Sequence, residues 1–544
     1  MEIGKKTPWS AATWIVGGLV IGLYLLTCAL YWKQINDDAF ITFRYSKFLA
    51  LGRGPYYNIG EHVEGYTNFL LMLIMAGAIR LFGDDEVLFV AKLIGIGGGI
   101  VACGAAWALG RRWLNKIETV APYANLLAWG GAGLAAVMCT YAFNSTTGLE
   151  TTLFSAFVLL GLWLDQKQRD EGRFRGAGIA FALAALTRPE GVMVFALATC
   201  GRLFTRPWKQ RKTLFILLAD VLIVGVVVLC HLVLRYVLYD GEFVPNTYFA
   251  KSGGAAAVTP WRYVREFLVN LMAYVTPALA LLPLVARKRT LRTDVLPALF
   301  VLTGAIAATW LSGADWMPGH RMFMPYIPAC GALIVCGLAA TFDRVWKRAA
   351  LPTGIAAAAV LAGLFAWQYP ERVRLYDHCL IRATGYLVAH APLGDWLHAN
   401  AKPGATIALM DIGLVGYKCI DQRILDITGL TDRFIAKSPG GFLTKQFDPA
   451  YVLKQRPEYI VIAVQGPPGP LRRNAASSDL GPWTDIETRL MSASVFRRHY
   501  FTRSIERPGA DDLEWLAGKF GARLAYEHLC PGVAYYLFVY QYHD

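Results

Sequence analysis

Asn36-Asp37-Asp38-Ala39-Phe40-Ile41-Thr42-Phe43-Arg44-Tyr45 follows directly on an apolar run, roughly Ala12 to Trp32, that is long enough to cross a bilayer. Two adjacent carboxylates there stand at a membrane surface, where charge is costly unless it meets water, a cation or a substrate. The pair reads as a site, against the plainer reading of a solvated loop start, and its company favours the site. Downstream of other apolar runs stand Glu64-Gly65-Tyr66-Thr67-Asn68, Thr187-Arg188-Pro189-Glu190-Gly191, Pro245-Asn246-Thr247-Tyr248-Phe249-Ala250-Lys251 and Asp315-Trp316-Met317-Pro318-Gly319-His320-Arg321. If all of them emerge on one face of the bilayer, they can converge.

Whether they do is decided by lysine and arginine elsewhere. With 544 residues, 55% of them hydrophobic, and a mean hydropathy of +0.39, the chain is too apolar for an ordinary soluble protein and reads as a polytopic α-helical membrane protein. The net charge of +14 comes from short basic groups between apolar runs, with no long basic tract. That is the positive-inside pattern, and it implies a lipid bilayer as partner and no nucleic acid. Lys5 and Lys6 precede the first run, which lacks a small-residue cleavage site, so an uncleaved first helix with a cytoplasmic N-terminus is expected.

Apolar runs lie near 12–32, 67–82, 87–109, 123–141, 151–165, 174–187, 190–205, 213–236, 267–286, 294–311, 322–341 and 349–368. If all twelve cross, the basic groups scatter over both sides. If the short run 67–82, ending near Arg80, lies along the outer interface, eleven crossings remain and every basic cluster falls inside. These clusters are Arg111-Arg112 with Lys116, then 167–175, 206–212, 287–292 and 344–348. All five polar stretches then lie outside, although none of them was used to set the topology.

Two domains are expected, a transmembrane catalytic part over 1–370 and an extracytoplasmic α/β domain over 371–544, where the composition turns soluble. Residues 381–400 have helical periodicity; 405–409, 423–426, 459–464 and 533–540 read as strands, and 466–470 as a Gly/Pro-rich loop. Acceptor or carbohydrate binding by this domain is inferred from position. Most of the ten cysteines lie in apolar runs, and no CxxC or metal spacing occurs. Cys379, Cys419 and Cys530 allow one disulfide if this part is exported, with the pairing open.

A water-facing centre with these residues suits glycosyl transfer. Arg188, Lys251, His320 and Arg321 can hold a lipid phosphate at headgroup level. Asp37 or Asp38 can take the proton of an acceptor hydroxyl. Tyr66, Asn68, Asn246, Tyr248, Asp315 and Trp316 are side chains that stack on or hydrogen-bond a sugar ring, and Arg44, Glu64 and Glu190 belong to the same motifs as candidate sugar or acceptor contacts. The plainer alternatives are a snorkelling Arg188, a solvated Lys251, interfacial anchors at His320-Arg321, and an aromatic-belt Trp316. Glu150 reads as structural. The paired acids could also hold Mg, Mn or Ca, though no distant third carboxylate supports it.

These residues carry a resemblance. Asp37-Asp38 at the start of the first outer loop, an interfacial stretch within that loop and an outward C-terminal domain resemble the GT-C superfamily of polyprenyl-phosphate-sugar-dependent glycosyltransferases. Asp37 through Arg44, Gly52-Arg53-Gly54-Pro55, Val63 through Asn68, Thr187 through Gly191, Pro245 through Tyr248 and Gly313 through Met317 are similar, more closely, to the terminal β-(1→2) arabinofuranosyltransferase group. The similarity covers about two thirds of the chain. It implies inverting transfer of arabinofuranose from a decaprenyl- or undecaprenyl-phosphate donor to a glycan or glycoconjugate acceptor, on the outer side of a bacterial plasma membrane. By the superfamily's pattern the first acid, Asp37, is the base and Asp38 the supporting or metal-facing partner.

Three alternatives stand beside this reading. Nothing sizes the sugar pocket, so a hexose or aminosugar donor is open. A lipid-linked sugar transporter is disfavoured, since no inverted repeat is found and the polar residues collect in outer loops. An inactive glycan-binding anchor sits poorly with intact acids.

Overall fold

The structure is a computed structural model that describes residues 11–252, 259–270, 275–312, 315, 317–465, 481–482, 484–493 and 535–542. Trp316, the 466–470 loop and Cys530 lie outside these residues. The chain folds into two compact units, each discontinuous in sequence: Met1–Trp32, Phe89–Leu232 and Val258–Tyr376 form one, and Lys33–Leu88, Val233–Ala257 and Asp377–Asp544 the other.

The first unit is helical. Among the described residues, six helices or helix pairs are long and apolar enough to cross a membrane: Ala11–Leu30, Val87–Leu114, Arg211–Leu238, Arg289–Trp310, Met324–Val345 and Ala350–Trp367. A seventh arises if Ala121–Val137 and Cys139–Ser145, bent by 70°, form one span. The other expected crossings are shorter or more polar. Thr151–Glu171 ends in a charged stretch from Asp165 onward, and 267–286 holds the end of helix Pro260–Asn270 and the whole of the short helix Val275–Leu281. The runs at 174–187 and 190–205 become Ala177–Thr187 and Glu190–Leu203. They break at Arg188, which takes an extended backbone (φ −149°, ψ 139°) because a residue before proline is pushed out of the helical region.

Ile327–Val345 is the centre of this unit: its span is 89% buried, against 17–44% for the other five single spans. It packs on Ala124–Val137 at a small-residue crossing, where a Cβ on Gly331 would fall on the carbonyl oxygen of Gly131. Gly331→Val is therefore expected to cost about 1–3 kcal/mol, read as a lower Tm in detergent. Gly104→Ala, at a position with nothing within 4 Å, should leave Tm unchanged or raise it.

In the second unit a five-stranded sheet is built from β1 (Thr406–Leu409), β2 (Arg423–Asp426), β3 (Tyr459–Gln465), β4 (Gly481–Pro482) and β5 (Tyr535–Gln541). β1 lies parallel between β2 and β3, and β3 pairs antiparallel with β4 and β5. Thr484 and Glu487 close a capping box on helix Asp485–Ser492. Helices Asp37–Ala50 and Phe69–Phe82, from the first polar connection, belong to the same unit. Ile41, Tyr45, Tyr57 and Tyr66 share one apolar core with Ile407, Leu409, Ile424 and Ile460 of the sheet. Cys379 and Cys419 are buried, and neither forms a disulfide among the described residues.

Candidate functional site

Asn36 caps the helix that begins at Asp37, its side chain accepting the amide N–H of Asp38 at 3.1 Å. That places the first acid in the opening turn and aims its carboxylate at the start of helix Ile412–Lys418. The backbone N–H groups of Gly413 and Leu414 donate to the two oxygens at 2.9 and 2.7 Å. Gly413 is required for this approach, because a Cβ there would collide with the Asp37 carboxylate and carbonyl. Asp411, on the same turn, meets His390 Nε2 at 3.0 Å. Burial, with Asp411 adding to it, pushes the Asp37 pKa up to about 6, although His390 and the two amides pull the other way. Asp38 is half-exposed.

The other candidates in this unit fall into two sets. Arg44 is wholly buried; its guanidinium donates to the carbonyls of Tyr57 (2.7 Å), Cys419 (2.8 Å), Gln422 (2.9 Å) and Gly416. Glu64 takes Arg235 through both oxygens, at 2.5 and 3.2 Å. Tyr66 shares a hydrogen bond with Tyr239 (3.0 Å), and Asn68 accepts from Thr42 (3.1 Å). The Asn246 amide donates to the carbonyls of Gly429, Leu430 and Asp432 at 2.8–3.2 Å. Arg44 and Asn246 tie the polar segments to the chain flanking the strands, and Glu64, Tyr66 and Asn68 tie those segments to one another. Tyr248 and Lys251, three residues apart on helix Asn246–Lys251, are exposed, with the Lys251 ammonium 5.6 Å from the Phe442 ring centroid.

Arg44→Met should therefore act on stability. It leaves four carbonyls without their cation, at about 3 kcal/mol, read as a lower Tm in detergent. An unchanged Tm would take Arg44 out of the support of the fold.

The first unit gathers Arg188, Glu190, Asp315, His320 and Arg321. Arg188 donates to Glu190 at 2.9 Å and to Met322 Sδ at 3.3 Å, with Glu150 3.8 Å away. It is buried, and its Nη1 makes no hydrogen bond. Arg321 pairs with Asp315 through Nε. Gly319 (φ 84°) and His320 (φ 49°) turn the chain through left-handed backbone, and Asn144 fastens the turn by donating to the Gly319 carbonyl at 2.8 Å. His320 packs on Tyr263 and Phe267 and meets Asn270 at 2.8 Å; burial holds its pKa below the usual histidine value. Two guanidinium groups are thus held by three carboxylates, Glu150, Glu190 and Asp315. Glu150, Tyr263 and Met322 were not foreseen as partners, and neither were His390 and Asp411 beside Asp37. Only proximity in space marks them.

Among the described residues, no three His, Cys, Asp or Glu side chains are grouped to hold a metal ion.

Residues 381–508 match a domain of unknown function, DUF8728. The chain is 28% identical over 292 residues to a terminal beta-(1->2)-arabinofuranosyltransferase of Corynebacterium glutamicum, covering 48% of this chain and 40% of that protein. It is also 28% identical over 338 residues to the enzyme of that name from Mycobacterium tuberculosis, covering 54% of this chain and 51% of that one. The chain therefore spans about half the length of the curated relatives it matches. Among solved structures, ArnT from Cupriavidus metallidurans in the apo state superposes with a TM-score of 0.53 at 15% identity, over 84% of this chain and 93% of that one. In fold the chain is thus like ArnT, and in sequence it resembles the terminal β-(1→2)-arabinofuranosyltransferases.

Proposed function

We propose that this protein is an inverting membrane glycosyltransferase that moves a pentofuranose, arabinofuranose first, from a polyprenyl-phosphate donor to a hydroxyl of a glycan or glycoconjugate. The observation that carries the reading is Asp37, a buried carboxylate clasped by two amides, with its pKa raised to about 6. Such a group is ionised at neutral pH yet more basic than a surface aspartate, as a general base must be. Each oxygen accepts one amide and keeps a second lone pair for an acceptor O–H. As the acceptor oxygen bonds to the anomeric carbon, its proton passes to Asp37. The carbon–oxygen bond to the donor breaks, and its electron pair leaves with the polyprenyl phosphate.

Arg188 and Arg321, already oriented by carboxylates, are assigned to that leaving phosphate, where fixed cations stabilise the growing charge. His320, Lys251, Asp38, Tyr248, Asp315, Glu190 and Trp316 stay as candidate donor and sugar contacts. Arg44, Glu64, Tyr66, Asn68 and Asn246 are assigned to holding the fold. No step is routed through a divalent cation.

The topology belongs to the same proposal: eleven crossings, with Asp37, Arg188 and Arg321 all on the outer side. Single cysteines near these positions should react with an impermeant maleimide in intact cells, and cysteines in 206–212 and 344–348 should not. Transfer is tested with purified protein and radiolabelled decaprenyl-phospho-arabinofuranose in detergent, where no gradient exists for a transporter. Label entering an arabinan acceptor with inversion is the expected result. Transfer only from a mannosyl, glucosyl or aminosugar lipid phosphate would move the assignment to that sugar, and donor left intact with every acceptor would end the enzymatic reading.

A further inference from the structure

The first unit has a polar concavity that the transfer chemistry does not use. Its volume is about 440 Å³, and its lining includes Lys116, Arg287, Lys288, Arg344, Trp346 and Lys347. It lies where candidate spans begin or end: Val87–Leu114 stops just before it, Met324–Val345 runs into it, and Arg289–Trp310 and Ala350–Trp367 start beside it. It is thus at headgroup depth, on the side that the Lys/Arg distribution assigns to the cytoplasm.

Its charge balance is uneven. Five cations line it against two carboxylates, Glu118 and Asp343. Lys288 is taken by Glu118 at 2.7 Å, and Lys116 by Asp170 and Asp294 at 2.9 and 2.5 Å. Asp343 accepts from Thr119 at 2.7 Å. Arg287, Arg344 and Lys347 have no carboxylate partner among the described residues. Arg287 instead donates to the Arg344 carbonyl at 2.8 Å, which ties together the two segments that carry these cations. The lining also has an apolar edge: Val345 is 68% exposed, and Trp346, half-exposed, lies against Phe342 with ring centroids 5.0 Å apart. Three uncommitted cations with an apolar flank and an interfacial tryptophan fit a phosphodiester whose ester chains lie in the bilayer.

We propose that this concavity binds the phosphate headgroup of an anionic phospholipid, with Arg344 and Lys347 as its main contacts. The inference rests on the membrane reading of the chain and not on its glycosyl transfer, so the two can fail separately. The free anion has the same phosphate chemistry, and only the apolar flank separates the sources.

The test is native mass spectrometry of the detergent-purified protein titrated with phosphatidylglycerol, phosphatidylcholine or inorganic phosphate. Phosphatidylglycerol should bind at least ten-fold more tightly than phosphatidylcholine. Arg344→Gln/Lys347→Gln should weaken it roughly thirty-fold, as two charges at about 1 kcal/mol each imply. Equal affinity for the two lipids, or an unchanged affinity in a double variant that keeps its Tm, overturns the proposal. Inorganic phosphate protecting against thermal unfolding as well as phosphatidylglycerol does would make the concavity a free-anion site and overturn the lipid assignment. The wild-type lipid comparison stands even if the double variant does not fold.

Discussion

Asp37→Asn is expected to lower transfer from the lipid donor by at least about 100-fold while the protein keeps its fold. Asparagine fills the same space and can accept one of the two amide N–H groups now bound to the carboxylate at 2.9 and 2.7 Å. It loses the second bond but also sheds a buried charge, so the net change in stability is small, within about 1 kcal/mol. Asp38→Asn should reduce turnover less. A larger loss in Asp38→Asn than in Asp37→Asn would exchange their roles.

The pH dependence follows from the same group. Wild-type turnover should rise as Asp37 loses its proton, with a midpoint near 6, and level off above it. Stability runs in the opposite sense. The folded value lies above the unfolded one of about 3.9, so the folded state holds this proton more tightly. The contribution of Asp37 to stability is complete below the unfolded value and is lost as the pH rises through about 6. Thermal melts from pH 4 to 7 should show that decline in the wild type and a flatter profile in Asp37→Asn. Asp411 and His390, which face Asp37, remain in both proteins, and identical profiles would remove Asp37 from the titration.

Arg188→Gln should have the second largest effect, a loss of about 100-fold or more in kcat/KM. It has a structural component that must be separated from the chemical one. Glu190 and Glu150 both pair with Arg188, at 2.9 and 3.8 Å, and removing the cation weakens the hold on both carboxylates at a cost of about 3–5 kcal/mol. Arg188→Gln/Glu150→Gln removes the more buried of the two carboxylates as well, so Tm should recover in part while transfer does not. Recovery of transfer in the double variant would mean that Arg188 only keeps the unit folded.

Much of the architecture is readable from the residues alone, and the reason is local. Apolar runs report helices because a bilayer offers the backbone no other partners. The strand runs at 405–409, 423–426 and 459–464 stand where β1, β2 and β3 are found, since buried β-branched and aromatic segments have few other uses. The break at Arg188-Pro189 was visible in the proline itself. The short helices flanking it, and the 70° bend before Cys139, show where run length ceases to report a straight span.

What the sequence by itself determined is the membrane class, the polar connections and a chemistry of acids and cations, because hydropathy and charge are properties of neighbours along the chain. Only the tertiary structure decided what each polar side chain meets. Arg44 and Asp37 lie seven residues apart on one helix; one is sunk among carbonyls that neutralise its donors, and the other is held by Gly413 and Leu414 with its pKa raised. Each has partners more than 370 residues away. The solvation and pairing of a charge depend on atoms within a few ångströms in space, which sequence order does not record.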